Sequence, residues 1–125
     1  MDTNIIIDHL RESGLGLTSL MDLNKKYTRH GLALTVISIQ ELYEGKSTKD
    51  SQKLDQLTRL LAPIRVLPYT YEIALRAGEI ARDIGSPIEF ADAAIAATCI
   101  VNGGDLATLN VKHFGKISGL NLIKN

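Results

Sequence analysis

The sequence predicts an α/β sandwich with a mostly parallel sheet, and two observations carry that expectation. Short apolar runs of β type alternate with amphipathic helical stretches along the 125 residues, the pattern of strands joined by helical crossovers. The three prolines, Pro63, Pro68 and Pro87, all fall at boundaries between those runs, where a residue without an N–H breaks no hydrogen-bond ladder.

The elements follow in order. Asp2, Thr3 and Asn4 are all good N-cap types and open a helix over 3–12; a second helix is expected over 17–29. Leu32-Ala33-Leu34-Thr35-Val36-Ile37 is the first strand candidate, apolar and partly β-branched. Ser38-Ile39-Gln40-Glu41 has the spacing of a capping box, in which Ser and Glu satisfy each other's backbone donors, and opens a helix over 38–45. A helix over 49–61 leads to the strand candidate Ile64-Arg65-Val66-Leu67. Across 70–84, Ile73, Ala74, Ala77, Ile80 and Ala81 recur at three- and four-residue spacing and make one apolar helix face. Ser86-Pro87-Ile88-Glu89 repeats the capping-box spacing with Pro87 at the first helical position, so a helix is expected over 87–102 with Glu89 as a cap. Leu106-Ala107-Thr108-Leu109 and Leu120-Asn121-Leu122-Ile123 complete the strand set.

Composition narrows the function classes. A chain of this length fits a single domain, 1–125, that buries about two-thirds of its unfolded surface. Its 45% apolar and 22% charged residues are those of a globular protein. The longest apolar stretch, Ala93 to Val101, is interrupted by Thr98 and falls far below the roughly twenty residues of a membrane span. With no basic and apolar leader, a cytoplasmic protein without membrane contact is expected. The single cysteine, Cys99, has no internal partner and reads as a buried, inert thiol. Fourteen basic and fourteen acidic residues cancel, so any nucleic-acid contact must come from a local arrangement.

In open parallel sheets the functional crevice lies beyond the carboxyl ends of the strands. Glu41 and Asn110 each follow a strand candidate and belong at that rim, whereas Asp105 precedes one and belongs at the other. Asp92 sits among alanine and isoleucine, where a carboxylate needs a partner and a metal ion supplies one. Competing roles stand beside these: Asp2 as a helix cap, Glu41 in its capping box, Glu44 as a solvated side chain.

Taken together, Asp2-Thr3-Asn4, Ser38-Ile39-Gln40-Glu41-Leu42, Asp92-Ala93-Ala94-Ile95-Ala96-Ala97 and Thr108-Leu109-Asn110 resemble, in order and spacing, the PIN-domain ribonucleases. The closest likeness is to the VapC-type toxins of toxin–antitoxin pairs, and it runs from Asp2 to Gly119-Leu120-Asn121-Leu122. The resemblance implies a PIN-like three-layer sandwich with a mostly parallel central sheet. It also implies a metal-dependent endoribonuclease, with Mg²⁺ or Mn²⁺ held by Asp2, Glu41 and Asp92 and assisted by Asn110. Thr3, Asn4, Ser38 and Thr108 would hold those ligands in place, with Thr35 at a preceding hydroxyl position. The implied substrates are structured RNAs such as tRNA or rRNA, cut to leave a 5′-phosphate and a 3′-hydroxyl. The implied partners are a second copy of the chain and a cognate antitoxin whose carboxyl-terminal segment crosses the cleft, with Ile6, Leu10, Leu17, Leu20 and Leu23 either lining its groove or forming core.

Basic side chains near the proposed ligands are candidates for the RNA backbone: Lys46, Lys49 and Lys53 after Glu41, and Lys112, His113 and Lys116 after Asn110. Lys25, Lys26, Arg29 and His30 form a third cluster, and a solvated helix face explains each cluster equally well. Tyr43 is the best-placed tyrosine for base stacking.

Two departures from the family pattern bear on activity. Asn110 brings an amide oxygen without charge to the fourth position. Only Met1 precedes Asp2, where the family has apolar residues forming a central strand, so either the chain is shortened at its start or that strand is reduced to a stub. Both departures favour a rival reading, a non-catalytic PIN-like protein-interaction or RNA-binding module with weakened metal binding. A DNA-directed, flap-processing relative would need a larger chain.

Overall fold

The computed structural model describes residues 1–12 and 32–123. The helix expected over 17–29, the cluster Lys25, Lys26, Arg29 and His30, and Leu17, Leu20 and Leu23 lie outside the described residues.

Helix α1 spans Thr3–Glu12, β1 Ala33–Thr35 and α2 Val36–Glu44. A 3₁₀ turn over Lys46–Lys49 leads to α3, Ser51–Leu61, and then β2, Arg65–Leu67. Helix α4 spans Tyr71–Asp83, α5 Phe90–Val101 and the short α6 Val111–Phe114.

Strands β1 and β2 pair in parallel with Leu34 opposite Val66. The parallel arrangement continues beyond them through single contacts. Leu106 bridges Leu122 in parallel, the Asp2 N–H donates to the Ala107 carbonyl at 2.8 Å, and the Met1 ammonium donates to the Ala33 carbonyl at 2.6 Å. Met1 and Asp2 thus stand as a two-residue stub between β1 and the 106–107 segment. Burial lowers the proton affinity of that ammonium, since an apolar setting disfavours the charged form.

Two apolar cores flank this backbone layer. One joins Ile5 and Ile6 of α1 to Leu34, Leu42, Leu57, Leu61 and Ala107; the other joins Ile73, Ala77 and Ile80 of α4 to Ile95, Leu106 and Phe114. Neighbouring Leu106 and Ala107 belong to different cores, as alternate residues of an extended segment do. The layer therefore runs between two helical layers. Each fully buried isoleucine or leucine contributes about 1.5–3 kcal/mol of transfer free energy.

Several boundaries depart from expectation. Helix α2 begins two residues early: Thr35 is its N-cap, accepting from the Ser38 N–H at 3.0 Å. Ser38 is therefore inside the helix, and Val36 and Ile37 are helical rather than strand. Helix α5 begins at Phe90, leaving Pro87 outside it, and Glu89 holds the cap position without a side-chain cap bond. On α4 the buried face is Ile73, Ala77 and Ile80, while Ala74 and Ala81 are exposed. The expected strands over 106–109 and 120–123 reduce to the one bridge, because only Leu106 and Leu122 meet in strand pairing. Ile6 is fully buried in the first core, whereas Leu10 is partly exposed.

Candidate metal centre

Asp2 and Thr108 meet across almost the whole chain. The Thr108 hydroxyl donates to Asp2 Oδ2 at 2.7 Å and accepts from the Asn110 N–H at 3.0 Å. Both residues are buried. The Asp2 carboxylate is thus held by a hydroxyl. Next along α1, the Asn4 amide oxygen accepts from the Leu109 N–H at 3.3 Å, so the start of the helix and the 108–110 loop are tied twice.

Glu41 is held from the same helix start. Thr3 Oγ1 lies 2.6 Å from Glu41 Oε1 and 2.8 Å from Ser38 Oγ. A hydroxyl has a single proton; donated to the carboxylate, it leaves the Thr3 oxygen to accept from Ser38. Thr35, as the cap, removes the competition foreseen between capping and metal binding at Glu41.

Asp92 lies in the first turn of α5, where the helix's positive end favours a carboxylate. From Ala93 to Thr98 that helix is buried at every position, and its small alanines allow close packing against α4. Burial, and then the negative charge of Asp2, hold the Asp92 carboxyl above the usual value of 3.8, against the opposing pull of His113. A carboxyl held up by burial and by a neighbouring negative charge stands where a cation is favourable.

Asp92, Asn110 and His113 line one open cleft with Glu89, Pro87 and Ile88. Helix α6 carries His113 and closes at Gly115, where a Cβ would stand 2.9 Å from the Val111 carbonyl oxygen. His113 Nε2 is 3.1 Å from Asp92 Oδ2, yet among the described residues it has no aligned hydrogen bond. Its ring meets Phe114 edge-on at 5.3 Å.

Hydrogen bonds thus tie Asp2 to the 108–110 loop and Glu41 to the start of α1, while Asp92 and Asn110 share the cleft. Among the described residues, no three His, Cys, Asp or Glu side chains are grouped as ligands of one ion as they lie. The donor set nonetheless fits a hard divalent cation, being carboxylate and amide oxygen with room for water. Lys46, Lys49, Lys112 and Lys116 are exposed on the elements that follow Glu41 and Asn110. Asp105 is exposed and shares a separate cavity with Met1 and Cys99, away from the cleft. Cys99 is half-buried, and burial pushes its thiol above its usual value, the protonated and unreactive form.

Glu89, read from the sequence as a cap and standing at the N-cap of α5, and His113, read as a candidate RNA contact, also line the cleft. Each lies three residues from a proposed ligand, Asp92 and Asn110. That spacing was visible; the direction of the side chains was not.

The comparisons agree with this architecture. Residues 1–120 match the family described as PIN domain. Ribonuclease VapC10 of Mycobacterium tuberculosis (strain CDC 1551 / Oshkosh) is 38% identical over 118 residues, covering 91% of this chain and 84% of that protein. Among solved structures, VapBC-1 from nontypeable Haemophilus influenzae matches with a TM-score of 0.79 at 25% identity, covering 98% of this chain and 94% of that one. VapBC2 from Rickettsia felis, bound to a DNA fragment from their promoter, matches in fold with a TM-score of 0.80 at 22% identity, over 98% of this chain and 94% of that one.

Proposed function

This chain belongs to the PIN-domain family, as a VapC-type endoribonuclease toxin of a type II toxin–antitoxin system, and we propose that its RNA hydrolysis depends on Mg²⁺ or Mn²⁺ held by Asp2, Glu41 and Asp92. The observation that carries this reading is that Thr108 and Thr3 hold the Asp2 and Glu41 carboxylates at 2.7 and 2.6 Å at one helix start, while Asp92, held above its usual value by burial and then by Asp2, lines the cleft beside Asn110. When bound, a divalent cation polarises a phosphodiester oxygen and lowers the pKa of a coordinated water, so hydrolysis needs no nucleophilic side chain.

The chain's own residues orient that chemistry. Thr108 fixes Asp2 and the Asn110 backbone, and Thr3 with Ser38 fixes Glu41. Such outer hydrogen bonds set the direction of a ligand's lone pairs. Asn110, in the cleft beside Asp92, offers an amide oxygen to the cation or to its water. Lys46, Lys49, Lys112 and Lys116 flank the site and attract the phosphates of the RNA, with Tyr43, 43% exposed, available for a base to stack on. The substrate class is structured RNA such as tRNA or rRNA, and the products carry a 5′-phosphate and a 3′-hydroxyl.

The reading includes one domain, a cognate antitoxin, a homodimer and a cytoplasmic setting. Complexes named VapBC among the structural relatives support the antitoxin. Leu10 is the described member of the expected antitoxin groove that remains exposed. Tyr71, Leu75 and Phe90, each more than half exposed, are apolar surface for a second copy to cover. No helix among the described residues is long and apolar enough to cross a membrane.

Cleavage of total tRNA by the purified protein tests the enzyme directly. Cutting that requires Mn²⁺, stops with EDTA and is lost in Asp92→Asn supports the reading; cutting unchanged in the variant defeats it.

A further inference from the structure

We infer that His113 is a direct donor to the metal centre, making it a mixed carboxylate–imidazole site that favours Mn²⁺ and later transition metals over Mg²⁺. This deepens the metal-dependent reading above and rests on it.

Three observations carry the inference. Among the described residues, buried His113 Nε2 has Asp92 Oδ2 as its ion-pair neighbour and no aligned hydrogen bond, and a buried polar nitrogen without one is costly and rare. The same atom stands 3.1 Å from Asp92 Oδ2. Neighbouring ligands on an octahedral ion with bonds of about 2.1 Å are separated by about 3 Å, so the two atoms already have the spacing of adjacent ligands. Finally, both residues line the same cleft with Asn110, and the imidazole meets the Phe114 ring edge-on at 5.3 Å.

The chemical consequence is selectivity. Carboxylate and water oxygens suit Mg²⁺ and Mn²⁺ alike, whereas an imidazole nitrogen adds affinity for transition metals and little for Mg²⁺. His113 therefore biases the ion that this chain loads, while the three carboxylates supply most of the charge.

Pulsed EPR of the full chain loaded with one equivalent of Mn²⁺ is the test. The expected result is a ¹⁴N coupling from a directly bound imidazole, lost in His113→Gln. Titration calorimetry should show Mn²⁺ binding weakened roughly tenfold or more in that variant, with a smaller change for Mg²⁺. The wild-type spectrum decides even where a variant folds poorly, and His113→Asn gives a second comparison. Mn²⁺ bound in an Asp92-dependent way but without ¹⁴N coupling would overturn the His113 assignment and leave the carboxylate site standing. No Mn²⁺ binding at all would overturn both.

Discussion

Thr108 and Asp2 are the pair on which the geometry of the centre depends most. The Thr108 hydroxyl holds a buried carboxylate at 2.7 Å and the Asn110 N–H at 3.0 Å. Thr108→Val keeps the shape and removes both bonds, leaving buried polar groups unpaired at about 1–3 kcal/mol. Cleavage should fall roughly ten- to hundredfold, the usual cost of losing a residue that orients a metal ligand. An unchanged rate in a gel assay on tRNA would show that Asp2 needs no such support. Asp92 makes the opposite prediction for stability. Its folded-state pKa is raised above 3.8 by burial and by Asp2, so the stabilisation present below the unfolded pKa is lost as pH rises through the folded one. At neutral pH and without metal, the charged carboxylate therefore weakens the fold. Asp92→Asn should melt at a higher temperature than the wild type in EDTA, the gap closing as the pH is lowered through the carboxylate range, while cleavage is abolished. An equal or lower melting temperature at neutral pH would contradict the raised pKa.

Helix α2 presents Ser38 and Glu41 and starts at a strand end. Its N-cap, Thr35, accepts from the Ser38 N–H, and Thr35→Ala should cost about 1 kcal/mol in a denaturant titration. Because the same helix carries Glu41, cleavage should fall with it; a variant of undiminished stability would return the cap to Ser38. This element also shows what the sequence could and could not tell. Thr35, Ser38 and Glu41 stand at successive three-residue spacings; the sequence reads Ser38 as the cap, whereas Thr35, the last residue of β1, takes that position. The same ambiguity misplaced the start of α5, where Ser86 and Pro87 imitate a helix start that begins at Phe90. Long helices such as α4 were legible from their apolar period, although Ile73, Ala77 and Ile80 alone carry the burial. The strands were legible as positions but not as lengths, because strand pairing depends on neighbours distant in sequence. Among the site residues, the four ligand candidates could be named from their motifs. Glu89 was legible as a cap, but that it and His113 also line the cleft was not, because no local spacing says which way a side chain faces.

At the scale of the molecule, the centre joins the two ends of the chain. Asp2 and Thr108 are 106 residues apart, so the site exists only when the parallel layer and both cores are assembled. Metal binding should therefore report on folding of the whole: at about a hundred times its Kd, Mn²⁺ should add about 2.7 kcal/mol to stability, and the gain should vanish in Asp92→Asn. A thermal scan showing equal gains in both proteins would locate the ion elsewhere. With fourteen basic and fourteen acidic residues in balance, RNA affinity has no global field behind it, and the chemistry at the centre is what distinguishes an enzyme from a binding module. The ends of the cut RNA test that chemistry most directly. Water activated by a cation leaves a 5′-phosphate and a 3′-hydroxyl, so end-group analysis of tRNA cut by the purified protein should find both, in a reaction lost in Asp92→Asn. A 5′-hydroxyl with a 2′,3′-cyclic phosphate would mean that the RNA's own 2′-hydroxyl attacks, and the metal-centred account of this site would be wrong.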